Sequence, residues 1–384
     1  MHKFMILAVL LFAVVSCNQK SKETEVKNNN TENPFFREST PPYSAPDFSK
    51  IKDEHFKPAL LEGMRQQTEA VLKIANDPEP ATFENTILAL EKSGELLSRT
   101  NNVFNALTAA NTNETLKGVE TELSPLFSKH SDEIYLNAQL FDRVKTVYAH
   151  RKELGLDLES NKLVENVYKD FVSAGANLTG ADKEKLKTIN GELATLSTKF
   201  NQVLREASDA ATIEINDPKK LAGFSEKQLE NIKDDKKDNT WLLRITNTTQ
   251  QPQSKSLENR AIRQQLFEAG WNRTNGGKYD TRDLVRQMVT LRADKAKLLG
   301  FPNYASWRLQ NTMAKKPEAV LDLFAQLVPA ATAKARAEAA DIQKMIKKTG
   351  GDFKLEPWDW NFYAEKVRKE RYNLDEDEVK PYFE

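Results

Sequence analysis

A hydrolytic metal centre needs three protein ligands around a position left open for water, and histidine often supplies them. This sequence holds four histidines, His2, His55, His130 and His150. None stands four residues from another, the spacing that aims two imidazoles at one ion from a single helix face. The H-E-x-x-H pattern is absent from the sequence. Lone histidines on separate segments are expected at the surface or as satisfied core residues. Nucleophilic chemistry has as little to work with: there is no G-x-S-x-G elbow, and the single cysteine is Cys17. "NGGKYD" at 275–280 pairs two glycines without the strand–loop–helix context of a phosphate cradle, so it reads as a turn. "NLDEDEV" at 373–379 lacks the glycine and the spaced oxygen ligands of a calcium loop, and reads as a solvated acidic turn. Trp358, Trp360, Phe362 and Tyr363 would suit a ligand groove, but a core role is favoured. The residues themselves assign no catalytic side chain and no metal ligand.

The elements that would carry any site are mostly helical. From 52 to 76, Phe56, Leu60, Met64, Val71 and Ile74 recur at helical intervals. Thr82 reads as an N-cap for "FENTILALEKSGELL", with Phe83, Ile87, Leu90 and Leu97 inward. Asn137 starts a helix whose Leu140, Phe141, Val144 and Val147 share a face, and Gly155 marks its exit. Leu186, Ile189, Leu193, Leu196, Phe200, Val203 and Ala207 alternate steps of three and four, a heptad seam. Its expected partner is the preceding "NKLVENVYKDFVSAGANL", which would make a long helical hairpin.

The pattern then changes. "ATIEIND" alternates as a short strand, and "DNTWLLRITN" is a second, with Trp241, Leu243 and Ile245 on one side. Between them Ser225 and Gln228 form a capping box. Helices resume with "SLENRAIRQQLFEAGWNR" and with "DTRDLVRQMVTLRADKAKLLGFP", where Leu284, Met288, Leu291 and Leu298 share a face and Gly300 and Pro302 stop the helix. The expected fold is mainly α, a multi-helix lobe with long helical hairpins and a small β insert.

Lys plus Arg and Asp plus Glu each number 56, so the formal charge is zero. Such a chain has no field to hold nucleic acid and no polybasic block for anionic lipid. Residues 1–17, "MHKFMILAVLLFAVVSC", join Lys3 to an apolar run too short to span a bilayer, and have the form of a secretory signal. "VVSC" resembles the lipobox of bacterial lipoproteins, in which Cys17 would be lipidated. An ordinary cleaved signal and an uncleaved anchor are the alternatives. "NQKSKETEVKNNNTEN" carries a single apolar residue, Val26, and is expected to be a disordered tether. From Pro34 to Asp47, four prolines predict an extended arm that lays Phe35, Phe36 and Tyr43 on a neighbouring surface. The expectation is an exported protein, lipid-anchored at the bacterial cell envelope, touching the membrane through Cys17 alone.

Seven segments in order carry a resemblance: "NPFFRESTPPYSAPDFSKIKDEHFKPALLEGM", "TFENTILALEKSGELLSR", "VFNALTAANTNETLKGVETELSP", "YLNAQLFDRV", "LAGFSEKQLE", "SLENRAIRQQLFEAGWNR" and "PWDWNFYAEKVRKERYNLDEDEVKPYF". Together they are similar to the Dcp-type peptidyl-dipeptidases, a branch of the oligopeptidase A and thimet oligopeptidase family of zinc metallopeptidases. The resemblance implies a two-lobed, mostly helical enzyme with a deep, narrow cleft. It implies one zinc ion held by the histidines of H-E-x-x-H and a later glutamate, and release of dipeptides from the C-terminus of oligopeptides. In that family the zinc motif lies downstream of the "KPYF" block, so none of its catalytic or metal residues can be placed on this sequence. The resemblance divides the chain into a signal peptide at 1–16, a lipidated cysteine and tether at 17–38, an N-terminal helical lobe at 39–252, and the start of a catalytic region at 253–384. The chain alone is then expected to bind no zinc and to be inactive, its catalytic half missing. The alternatives are a helical peptide-binding lipoprotein and one half of a split peptidase.

Overall fold

The computed structural model describes residues 33–246, 250–373 and 380–383. Fourteen α-helices follow one another there: α1 (Phe56–Ala75), α2 (Ala89–Glu91), α3 (Glu95–Ala110), α4 (Glu114–Tyr135), α5 (Ala138–His150), α6 (Leu158–Ala174) and α7 (Gly180–Ala210) come first. Then come α8 (Glu226–Asn231), α9 (Gln250–Ser256), α10 (Arg260–Asn272), α11 (Arg282–Leu298), α12 (Tyr304–Leu309), α13 (Pro317–Lys348) and α14 (Trp360–Tyr372). Strands β1 (Ile213–Ile215) and β2 (Trp241–Leu243) pair antiparallel, with Glu214 opposite Leu242. This is the mainly α lobe with a small β insert that the sequence predicts. Among the described residues no helix is long and apolar enough to cross a membrane.

Caps decide where many of these helices begin. The Asn137 side chain accepts from the Leu140 N–H at 3.0 Å, and Thr82 and Ser225 close capping boxes with Asn85 and Gln228. The stretch after Thr82 is not one continuous helix. Phe83–Leu88 forms a wide π-type turn, α2 follows, and Gly94 breaks the run in the left-handed region at φ 76° before α3 begins.

Two cores fill the N-terminal part. One joins Phe56, Leu60, Val103, Phe104, Leu116 and Leu123 of α1, α3 and α4, and Phe35 seals it with its ring 5.2 Å from Phe56. Asn33, inside the stretch expected to be a tether, is packed: its side chain accepts from the Phe35 N–H and donates to the His55 carbonyl. Tyr43 departs from expectation, since it is fully exposed on the turn Pro42–Ser44 instead of lying on a neighbouring surface. Helices α1 and α3 approach so closely that a Cβ on Gly63 would lie 2.8 Å from the Leu97 Cα. The second core unites Ile87, Leu140, Phe141, Val144, Val164 and Phe171.

Helix α7 departs from the hairpin expected with α6. The ring-bearing face of α6 is already covered by α5, with Phe141 and Phe171 stacked at 5.8 Å and Tyr148 and Tyr168 at 3.9 Å. Helix α7 packs instead on α4 and α11. Its seam is half-buried, and polar groups reinforce the α4 side. Thr198 donates to Ser124 Oγ at 2.8 Å, Ser124 to the Ala194 carbonyl at 3.1 Å, and Gln202 to Thr121 Oγ1 at 2.8 Å. A heptad shows that a face is covered, and not by which neighbour.

The β insert rests on α10 through Ile215, Leu243, Ile245, Ile262 and Leu266. The last core joins Ile342, Met345 and Ile346 of α13 to Phe362 and Tyr363 of α14.

Candidate functional site

The described histidines are dispersed, as their spacing predicts. His55 sits at the start of α1 and accepts from the Lys52 N–H at 3.1 Å, and His150 is exposed beside Glu153. His130 is buried on α4, with Nε2 2.7 Å from Gln67 Oε1 and Nδ1 3.3 Å from Thr68 Oγ1. Burial lowers its pKa, so the neutral ring donates to Gln67 and accepts from Thr68. Both ring nitrogens are thereby committed. Cys17, the expected lipid attachment site, lies outside the described residues, as does most of the acidic turn at 373–379. Among the described residues no three His, Cys, Asp or Glu side chains converge in a way that could hold a metal ion. The side chains present do not fit a zinc centre.

The "PWDW" aromatics enclose charge instead of lining a groove. Asp359 is fully buried just before α14. Arg260 holds it with two nitrogens, at 3.0 and 2.9 Å, and Arg263 reaches it at 3.0 Å. Arg263, 1% exposed, also donates to the carbonyls of Leu257 and Glu258, both at 2.9 Å. Aromatic rings close the remaining faces: Phe353 lies 4.1 Å from the Arg260 guanidinium and Phe362 lies 4.2 Å from that of Arg263. Asp359 is saturated by this clamp, which ties α10 to the segment entering α14.

A different arrangement lies where α4, α7, α11 and α12 meet. On α4, Ser128, Ser131, Asp132 and Tyr135 fall at steps of three and four and so share a face. Asn190, Ala194 and Ser197 repeat the device on α7. The small side chains among them leave a cavity of about 570 Å³, to which α11 contributes Arg292 and Lys295, and α12 Tyr304 and Trp307. Asn190 bridges the charges: its amide donates to Asp132 Oδ1 at 2.7 Å and its carbonyl oxygen accepts from Lys295 Nζ at 2.6 Å. The Lys295 ammonium also faces the Trp307 ring at 4.9 Å, and Trp307 Nε1 donates to the Ser173 carbonyl at 3.0 Å.

Burial sets the electrostatics. It pushes the Asp132 carboxyl up to about 6, against the opposing pull of Asn190 and of the Lys295 and Lys187 charges. It also lowers Lys295, which the Asp132 charge partly restores. At the rim, desolvation raises Asp170 of α6. The cavity thus offers a polar ligand two cations, Arg292 and Lys295, one carboxylate that exchanges protons near neutral pH, and flat aromatic walls. It contains no activated nucleophile, because His130 of the same helix is turned to Gln67 and Thr68.

Sequence reasoning missed this constellation because its members lie far apart: 58 residues separate Asp132 from Asn190, and 105 separate Asn190 from Lys295. A signal was present in the helical patterns. Lys295 stands between Leu291 and Leu298 on an otherwise apolar stripe, and Asn190 borders the heptad seam between Leu186 and Leu193. Arg260 and Arg263, one turn apart beside the N-cap Asn259, marked the clamp in the same way.

Comparison with known proteins gives a consistent picture. Residues 253–384 match the sequence profile described as Peptidase family M3. A dipeptidyl carboxypeptidase of Escherichia coli (strain K12) is 47% identical over 359 residues, which span 92% of this chain and 53% of that protein. The dipeptidyl carboxypeptidase of Salmonella typhimurium is 44% identical, spanning 91% of this chain and 52% of its own length. Oligopeptidase A of Escherichia coli is 27% identical over 89% of the chain and 52% of its own length. The chain spans about half the length of the curated relatives it matches.

Proposed function

Because this chain belongs to Peptidase family M3, we propose that it supplies the helical lobe of a Dcp-type peptidyl-dipeptidase. In this reading the assembled enzyme hydrolyses oligopeptides and releases dipeptides from their C-terminus. The observation that carries it is the 47% identity to a dipeptidyl carboxypeptidase, sustained over 92% of the chain. Zinc, which the family resemblance implies, belongs with the portion of the relatives that this chain does not span, and the chain by itself is inactive. Asp132, Asn190 and Lys295 take no part in bond cleavage; their cavity supports peptide contact beside the reaction. Export and anchoring through a lipidated Cys17 complete the proposal, placing the enzyme at the cell envelope.

The test is complementation. The chain is co-expressed with the unspanned portion of the Escherichia coli relative, and release of C-terminal dipeptides is followed with and without a zinc chelator. Chelator-sensitive release by the pair and none by the chain alone is the expected result. Release by the chain alone would overturn the claim of inactivity. A peptide that binds the chain alone, with no release by the pair, would turn the reading into a peptide-binding lipoprotein, which the polar cavity also suits.

A further inference from the structure

Helix α13 is 32 residues long, about 48 Å at 1.5 Å per residue. It is packed at its two ends: Ile342, Met345 and Ile346 meet α14, and Pro317, Ala319 and Val320 are half-buried where the helix starts beside α12. From 321 to 338 every residue is exposed. That exposed stretch is not polar. From half-buried Val320 onward, Leu323, Phe324, Leu327, Val328 and Ala331 follow at steps of three, one, three, one and three, the pattern of a core-facing stripe. With Leu321 they cover an arc of about 160° at 3.6 residues per turn. Leu321, Leu323, Phe324, Leu327 and Val328 are each 51 to 63% exposed. Glu318, Asp322 and Arg336 lie on the opposite side, where a surface helix carries its charges, and past Ala331 the stripe's own face turns polar with Lys334 and Glu338.

A contiguous apolar stripe of this length marks a contact surface. Two observations say what covers it. The stripe lies inside the segment that matches the M3 profile, and the chain spans only 53% of a relative with which it is 47% identical. The polar side opens with Glu318 and Asp322, and lacks the lysine-rich face of a helix that lies on anionic membrane. We infer that the Val320–Ala331 stripe of α13 is the docking surface for a polypeptide equivalent to the portion of the dipeptidyl carboxypeptidases that this chain does not span. This rests on the reading above and names the face through which the two parts join. Burying the stripe completes a core of which α13 supplies one side.

Co-expression of the full chain with a tagged version of that portion of the Escherichia coli relative tests it. The two are expected to co-purify one to one, and backbone amides at 320–331 to exchange at least tenfold more slowly in the complex. Phe324→Glu with Leu327→Glu is expected to reduce the recovered complex at least tenfold, while Glu318→Lys with Asp322→Lys on the polar side leaves it unchanged. The substituted side chains are exposed, so circular dichroism and urea unfolding of the Phe324→Glu, Leu327→Glu chain alone should match those of the original. A complex that survives these changes, with 320–331 still exchanging freely, overturns the docking face and leaves the peptidase reading standing. A complex that forms through the stripe but releases no dipeptide overturns the peptidase reading and keeps the docking face. Self-association of the chain through the stripe, without uptake of the tagged partner, overturns both.

Discussion

Two buried carboxylates, Asp359 and Asp132, are built from the same parts and end in opposite conditions. Each faces basic side chains from another helix, and aromatic rings stand close by. Around Asp359 two arginines occupy the carboxylate oxygens, backbone carbonyls take further guanidinium protons, and rings cover the flat faces. Around Asp132 a single amide stands between carboxylate and ammonium, and about 570 Å³ of open space adjoins them. The difference teaches that a buried charge becomes structural when its valences are filled. It stays available to a ligand when they are not.

The comparison is broken most forcefully at the saturated site. Asp359→Asn should leave Arg263 buried without its counter-charge and cost about 3–5 kcal/mol, read as a lowered urea midpoint. Replacing Asp359 together with its buried partner, Asp359→Leu with Arg263→Met, should recover part of that loss, since Arg260 is partly exposed and keeps water; a double variant as unstable as the single one would contradict this. The open site should respond to pH instead. A carboxyl raised from about 3.8 to about 6 binds more protons folded than unfolded across that window. Its contribution to stability is present below pH 4 and is lost as pH rises through 6. Asp132→Asn removes the dependence, so variant stability should gain on the original by on the order of 3 kcal/mol between pH 4 and pH 7. Parallel unfolding curves at all pH values would contradict the raised carboxyl. The smallest effect is expected at the cavity wall. Trp307→Phe removes the donor to the Ser173 carbonyl, which water can replace, and trims the ring that faces Lys295, and should cost about 1 kcal/mol by thermal melting.

What could be read from the sequence follows the range of the interactions. Thr82, Asn137 and Ser225 were legible as caps because a cap acts within three residues. The strand pair was legible because alternation is local, and the resemblance placed the chain among peptidases before any coordinates. The neighbour of α7 was not legible, since its seam is met by Ser124 and Thr121, more than 70 residues away, through hydroxyls that leave no hydrophobic period. The π-type turn at Phe83–Leu88 was hidden for another reason: its inward residues keep helical spacing although the backbone hydrogen bonds shift. The cavity was hidden twice over, because five helices contribute to it and its emptiness comes from small residues that carry no pattern of their own.

The origin of that cavity in five helices also fixes when it can exist. About 175 residues separate Asp132 from Trp307. At roughly 5–20 residues per second, a ribosome needs about 9–35 s to pass from one to the other. At the start of that interval the core around Phe56 already has all its chain and the one around Phe171 is still to be made, while Asp132 lacks the cover of α11 and α12 throughout. Its enclosure is complete only when α11 and α12 arrive, so the cavity beside it is a late product of synthesis.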